Sequence, residues 1–414
     1  MLGTFITIIS VAIGRIAINM ARRFPYPFVP TIARQLDVSV TTVQSIIALQ
    51  ASSGIVSPPL GLVTERYRRR SVMVSMLLMM GVAALIAGAF PHLIIFAGVM
   101  MIFGLGKVIF DPAMYSYLAE NVPYKRRGMA LGVGELSWAV ALFIISPVGA
   151  VLLARSNVPP IQSLMLTLAG QEQLIALMTT SDGLQAVFIF LGVACLLSAG
   201  FVALTARNYP IISSLNNQRL SLGLIWQVIG ASSAAKASVI YSFIVALTNE
   251  IIFINYGVFM ENRFTLTLAL LGSLTIIISA GEVIGEITVI TISDRIGKRR
   301  LTLIGTAIVA LTYVLLPFSD SLTMALVILF VMFVMVEVAV VSSVPLISEV
   351  LPNNRVILLS AVAGGASVGR VSGAIIGGAI MAWTGNFLLA GLVAMLITLV
   401  GFWLIWRYVP ENGD

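Results

Sequence analysis

Eleven ionisable side chains fall inside stretches that are otherwise almost wholly apolar: Arg15, Arg22, Arg23, Lys107 and Arg370, with Asp111, Glu135, Glu250, Glu282, Glu286 and Glu337. Where water is scarce, such groups do two kinds of chemistry. A guanidinium holds an anion through paired N–H bonds. A carboxyl group kept from water can exchange protons near neutrality. Spacing sorts them further. Arg15, Asn19 and Arg22 stand at i, i+4 and i+7, hence on one helical face, with Arg23 beside it. Lys107 with Asp111, and Glu282 with Glu286, are i,i+4 neighbours, and the first couple reads as a structural ion pair. Tyr26 and Trp138 are the aromatic residues that can stack on a ligand, with Tyr115 a weaker third.

The elements that must position these groups are apolar segments long enough to span a bilayer. Of the 414 residues 59% are hydrophobic and 10% charged, far from the roughly 25% charged of a soluble domain. Segments of about 20 apolar residues recur near 4–31, 40–62, 72–90, 93–117, 128–153, 185–206, 237–259, 267–290, 300–317, 322–346, 357–382 and 386–408. Helices are expected, because every backbone polar group in lipid must be satisfied within its own segment. The fold class is therefore an all-α membrane protein with twelve transmembrane helices. The first segment, interrupted by Arg15 and too long for a cleavable signal, is expected to stay as the first span. An ion at the centre of such a helix costs roughly 3 kcal/mol, so all eleven must face protein or water.

The first span carries its own irregularity. In "ARRFPYPFVP" Pro25, Pro27 and Pro30 lack amide hydrogens, so the carbonyls of Ala21, Arg23 and Tyr26 lose their helical partners. The helix loosens beside Arg22 and Arg23, which is tolerated at this depth where the backbone lines a cavity.

A formal charge of +7 invites a nucleic-acid partner, but the location of the charge removes that reading. Arg66, Arg68, Arg69 and Arg70, then Lys125, Arg126 and Arg127, then Arg295, Lys298, Arg299 and Arg300 occupy loops on one side, joined by Arg207, Arg219, Lys236, Arg355 and Arg407. The opposite side has Arg34, Arg155 and Arg263. The positive-inside rule then puts both termini in the cytoplasm, in a plasma or inner membrane. Cys195, the single cysteine, is expected to be a small buried residue, and His92 to sit in water at a turn.

Internal similarity divides the chain. A shift of 229 positions lays "GLVTERYRRR" (61 to 70) on "ITISDRIGKR" (290 to 299) and "ENVPYKR" (120 to 126) on "EVLPNNR" (349 to 355). One offset serving two separate loops implies a parallel repeat: two pseudo-symmetric six-helix bundles over 1–206 and 237–414. A cytoplasmic connection over 207–236 would carry an interfacial helix in "LSLGLIWQVIG". A second insert, about 155–183, places Ile161, Leu164, Met165 and Leu168 at helical spacing on the outer surface.

Twelve spans, a 6+6 repeat and these loops resemble the major facilitator superfamily over essentially the full length. The family's loop motif is Gly-x-x-x-Asp-Arg-x-Gly-Arg-Arg or Lys. The first copy keeps Gly61, Arg66, Arg69 and Arg70, with Glu65 as the acid and Arg68 in place of the second glycine. The second keeps Asp294, Arg295, Gly297, Lys298 and Arg299 but begins with Ile290. "FPYPFVP" is also similar to the aromatic-proline end of the first helix in sugar-proton symporters of that superfamily. The resemblance implies alternating access through a mid-membrane cavity between the bundles. It makes Gly61, Glu65, Arg66, Arg70, Asp294, Arg295, Gly297 and Arg299 a gate whose charges hold the bundles together. Stripes of small residues, Ser53, Ser57 and Gly61 on span two and Gly365, Gly369, Gly373 and Gly377 on span eleven, are expected to meet across the same gate.

Sorting the buried ions by half gives a bipolar cavity, basic in the first half and acidic in the second. Arg22, Arg23, Asn19, Tyr26, Trp138 and Arg370 are the expected substrate contacts. Glu250 and Glu337, with Glu282, Glu286, Asp111 and Glu135, are the expected proton carriers. The function expected is proton-coupled secondary transport of a small organic anion, zwitterion or amphiphile, by a monomer in the lipid bilayer, with no cofactor, metal or nucleic acid. A drug or lipid exporter stays open, although "SPVGA" (146 to 150) matches the antiporters' Gly-Pro-x-x-Gly-Gly only in part. A nontransporting membrane sensor also stays open. Enzymatic activity is not expected: there is no His-Glu-x-x-His pair, Gly-x-Ser-x-Gly elbow or phosphate loop, and one histidine with one cysteine is a poor zinc set.

Overall fold

A computed structural model describes residues 2–56, 67–121, 124–153, 183–206, 227–351 and 354–411. Among them the chain forms helices α1 (Leu2–Arg23), α2 (Pro25–Gln35), α3 (Val40–Ser52, ending in a 3-10 turn over Ser53–Val56), α4 (Arg69–Ala89), α5 (Leu93–Asn121), α6 (Tyr124–Leu153) and α7 (Gly183–Thr205). There follow α8 (Ser233–Phe253), α9 (Tyr256–Phe264), α10 (Leu268–Ile296), α11 (Lys298–Leu315), α12 (Leu322–Ser348), α13 (Arg355–Thr384) and α14 (Phe387–Tyr408). No strand occurs among the described residues. Ten stretches of described helix are long and apolar enough to cross a membrane, against twelve spans expected. The shortfall lies in the first two: span one carries Arg15, Arg22 and Arg23 toward its break at Phe24, and span two is described only as far as Val56.

The repeat is visible in the elements. Arg69 and Lys298 open α4 and α11, Leu93 and Leu322 open α5 and α12, and both couples are 229 residues apart. The first helix of each series is interrupted at the corresponding place, α1 giving way to α2 after Arg23 and α8 to α9 after Phe253. In the first break Pro25 takes the opening position of α2, where a missing N–H costs nothing. In the second there is no proline; the Asn255 side chain donates instead to the Ile251 carbonyl at 2.8 Å.

The chain falls into two compact units, Met1–Ser213 with Met260–Ile276 and Ser214–Phe259 with Ile277–Asp414. In the first, α1 is enclosed by α5, α6 and α7, and α4 lies along α7. Glycine makes that last approach close: a Cβ at Gly81 would stand 3.2 Å from the Gly192 carbonyl, and one at Gly192 would stand 3.1 Å from that of Gly81. Phe188 of α7 gathers Phe24, Phe96 and Phe103 around it at ring separations of 5.5, 5.9 and 6.4 Å. Cys195 is fully buried and His92 exposed, as expected. At the end of α2, Arg34 donates to Glu261 of α9 at 2.8 Å, which ties that part of α9 to this unit.

In the second unit α8 packs along α13 and α11 along both α12 and α14. Gly365, Gly369, Gly373 and Gly377 of α13 all face α8, where a side chain would meet the backbone carbonyls of Val239, Phe243, Leu247 and Ile251. The stripe thus serves a helix pair inside this unit; Ser57 and Gly61, its expected partners on span two, lie outside the described residues. On α3 likewise, Gln50 and Ser53 are met by Gly104 of α5. Hydroxyl pairs lock the remaining helices, Tyr241 with Thr306 and Thr302 with Ser342, both at 2.9 Å.

Candidate functional site

The face of α1 that carries Arg15, Asn19 and Arg22 turns toward α5 and α6, and a buried polar network results. Arg15 donates from Nε to Asp111 Oδ1 at 3.2 Å, from Nη1 to the Gly134 carbonyl at 2.7 Å and from Nη2 to the Tyr115 hydroxyl at 2.9 Å. Lys107 Nζ meets Asp111 Oδ2 at 2.8 Å and Asn19 Oδ1 at 2.9 Å, and Asn19 in turn donates to Ser137 Oγ at 3.2 Å. Asp111 is therefore shared by two cations from two helices. The i,i+4 pair foreseen with Lys107 is present, and Arg15 completes it from α1. Asn19, expected at the substrate, has both ends of its amide committed inside this network.

One turn further along α1 the organising residue is Trp138 of α6. The guanidinium of Arg23 lies 4.2 Å from the centre of its indole ring, that of Arg22 5.9 Å, and the Lys107 ammonium 5.2 Å. Arg23 is pinned there, 1% exposed, by a 2.9 Å bond from Nη1 to the Trp138 carbonyl. Arg22 and Trp138 are only partly buried. Of the four cations Arg15, Arg22, Arg23 and Lys107, two thus meet Asp111 and three lie against the Trp138 ring.

The helix break falls beside these bases, with Phe24 held in the right-handed helical region between the end of α1 and the start of α2. The first and third positions of α2 are Pro25 and Pro27, which offer no N–H, so the donors at this point are the guanidiniums. Tyr26 is buried within α2. The arrangement is suited to hold an anion, with cation–π contacts to Trp138 keeping the bases in place.

Carboxylates mark the second unit. Glu250 of α8 is 4% exposed, in the turn before the second break, and a Cβ at Gly373 of α13 would lie 2.8 Å from its own Cβ. Beyond the break the rings of Phe253 and Tyr256 stack at 5.3 Å. On α10, Gly285 presses on α12: a Cβ there would lie 2.5 Å from the Val334 carbonyl and 2.6 Å from Glu337 Cβ. Glu282 and Glu286 flank that glycine at i−3 and i+1, so three acids gather where α10 meets α12. Glu282 is 2% exposed and the other two are half-buried. Arg370 is half-buried on α13, one residue past Gly369.

Several expected residues lie beyond this description. Gly61, Glu65 and Arg66 fall outside the described residues, as do the insert at 155–182, residues 207–226 of the connection and the side chains of Glu135 and Asp294. Those gate residues that are described bond within their own units. Arg70 donates to the Ala203 carbonyl and Arg299 to that of Trp406 at 2.5 Å. Arg295 is exposed at the end of α10. Gly297 turns the chain into α11 with φ +97°, and Glu411 caps the new helix through the amides of Lys298 and Arg299 at 2.6 and 3.3 Å.

Three contributors were not foreseen as site residues: Arg15, Ser137 and Asn255. The first was visible as a buried charge. Asn255 could have been found by carrying the proline break at Phe24 forward by 229 positions, which lands on Phe253.

Comparison with known proteins places this architecture. A family profile described as Major Facilitator Superfamily matches residues 11–237 and again 238–414. A search of curated proteins returns no match. Among solved structures, a bacterial homologue of the human lysosomal transporter Spinster, in an inward-facing and occupied conformation, superposes with a TM-score of 0.74 at 14% identity, covering 96% of this chain and 95% of that one. The same description in an inward-facing, unoccupied conformation gives 0.71 at 13% identity, covering 98% and 95%. At such identities the likeness is one of fold.

Proposed function

The chain belongs to the major facilitator superfamily, multi-pass membrane proteins that move small molecules by alternating access, and from that premise we propose that it is a proton-coupled carrier of a small organic anion, zwitterion or amphiphile. The observation that carries this reading is the gathering of Arg22, Arg23 and Lys107 around Trp138 beside the break between α1 and α2. Bases held at a helix break make an anion site in a transporter. Arg22, with Arg23 behind it, receives the anionic part of the substrate. Trp138 and Tyr26 border it, Asn19 fixes Lys107, and Arg370 contributes from the second half.

Glu250 and Glu337, supported by Glu282 and Glu286, exchange the protons. They are carboxyl groups on the membrane-spanning helices of the second half, and Glu250 and Glu337 lie at close helix contacts. Asp111, shared by Arg15 and Lys107, holds the first half's network in register. Glu135, a residue from the Gly134 carbonyl that Arg15 uses, is a further carrier. A zwitterion fits the same scheme, its cationic end turned toward the acids.

The loops around Gly61, Glu65, Arg66 and Arg70, and around Asp294, Arg295, Gly297 and Arg299, act as the gate. Their basic residues set both termini in the cytoplasm of a plasma or inner membrane. The halves over 1–206 and 237–414 work as two rocking bodies joined by 207–236, and one chain suffices.

A thermal-shift screen of organic anions, zwitterions and lipophilic cations tests the reading, because a ligand that prefers the folded state raises its apparent stability. Anions or zwitterions should shift the wild type, and Arg22→Ala should remove the shift. A response to lipophilic cations alone, indifferent to Arg22→Ala, would remove the proposal.

A further inference from the structure

We propose that the outward face shared by α11 and α14 seats an anionic phospholipid, its acyl chains along the two helices and its headgroup phosphate held by Arg300 and Arg407. Both helices are long and apolar enough to cross a membrane, and they run antiparallel. Arg299, near the start of α11, donates to the Trp406 carbonyl near the end of α14. A Cβ at Gly391, near the start of α14, would press on the Tyr313 carbonyl near the end of α11. Each helix turns an apolar stripe outward. On α14 it is Leu389, Leu392, Leu396, Leu399, Trp403 and Trp406, every third or fourth residue. On α11 the exposed Ile304, Leu311 and Leu315 do the same.

Any lipid can cover such stripes; the end they share is what selects. Exposed Arg300 opens the α11 stripe four residues before Ile304, and exposed Arg407 follows Trp406 at the close of the α14 stripe. The Arg299 bond puts these two ends together. The Arg407 guanidinium lies 5.5 Å from the centre of the Tyr408 ring, which meets Trp403 edge to face at 5.5 Å. Tryptophan and tyrosine collect at headgroup depth, so both arginines stand where lipid phosphates lie. Glu411, the acid that caps α11, spends its carboxylate on the amides of Lys298 and Arg299 at 2.6 and 3.3 Å. Arg300 and Arg407 are thus left facing outward with a charge that an anionic headgroup complements. A zwitterionic headgroup brings its own cation, which offsets the attraction. The seat is independent of what the protein carries.

The test is tryptophan quenching in the purified full-length protein, reconstituted in vesicles of equimolar phosphatidylglycerol and phosphatidylcholine with brominated chains on one lipid or the other. Of the five tryptophans, Trp226→Phe with Trp383→Phe leaves Trp403 and Trp406 to report, beside the partly buried Trp138. Brominated phosphatidylglycerol should then quench with at least about threefold the apparent affinity of brominated phosphatidylcholine. Adding Arg300→Gln and Arg407→Gln should bring the ratio close to one, and Arg407→Lys alone should keep most of it; circular dichroism melts identify any variant that fails to fold. Trp383, exposed at the end of α13 and so at the opposite boundary from Trp406, is the control. With Trp226, Trp403 and Trp406 all changed to Phe, it should report no preference. Equal quenching by both lipids at Trp403 and Trp406 would overturn the proposal. A preference that survives Arg300→Gln with Arg407→Gln would contradict the role given to those residues. The same preference at Trp383 would mean a general attraction for anionic lipid and no seat. Quenching by neither lipid would mean that a second copy of this chain covers the face, which also overturns it.

Discussion

Asp111 holds together more of the first unit than any other single acid described there. Arg15 reaches it from α1 at 3.2 Å and Lys107 from its own helix at 2.8 Å. Removing a partner from a buried pair leaves an uncompensated charge, at a cost of about 3–5 kcal/mol. Asp111→Asn strands two cations, whereas Lys107→Met leaves the acid bonded to Arg15 and gives up one buried charge. Melting in detergent should therefore show a large loss for Asp111→Asn and a smaller one for Lys107→Met. The reverse order would mean that Asp111 does not share its charge as the distances imply. The i,i+4 spacing of Lys107 and Asp111 made that pair readable in the sequence. The acid's other partner, Arg15, also bonds Tyr115 and Gly134, which are 100 and 119 residues away. Contacts of that range follow from helix packing, which no local pattern encodes.

At the scale of elements, glycine positions decide how closely helices approach. A Cβ at Gly373 would collide with the Leu247 carbonyl and stand 2.8 Å from Glu250 Cβ. Gly373→Val should push α8 and α13 apart at the height of Glu250, costing about 1–3 kcal/mol and lowering the melting temperature, while Gly364→Ala, which meets nothing within 4 Å, should be silent. Equal effects would contradict the packing. The period of four that makes this stripe was plain in the sequence, but period describes a smooth face and says nothing of which helix lies on it. The helix breaks divide in the same way. Pro25 and Pro27 announce the first; the second depends on Asn255 bonding the Ile251 carbonyl, a use of asparagine with no signature of its own.

The C-terminal segment supplies a second prediction at this scale. Glu411 caps α11, and a Cβ on Gly297 would lie 2.8 Å from Glu411 Oε2. Loss of a cap costs about 0.5–2 kcal/mol, and Gly297→Ala should displace that cap as well as strain φ +97°. The two changes share one contact, so the double variant Gly297→Ala with Glu411→Ala should lose less stability than its singles added together. Strict additivity would show that the cap does not form in solution.

For the whole molecule, the repeat explains why both series break their first helix at matching positions, one beside arginines and the other beside Glu250. The apolar composition and the basic loops were enough to read a helical membrane protein and its repeat, since the bilayer allows few alternatives. The division of labour between an anion-holding half and a proton-exchanging half is the account's central claim. It is tested most directly by proton movement in liposomes that contain the purified protein and a trapped pH-sensitive dye. Addition of the anion that binds most tightly should move protons with it in the wild type. Glu250→Gln and Glu337→Gln should abolish that signal and still exchange labelled for unlabelled anion. Undiminished proton movement in both variants would contradict the claim.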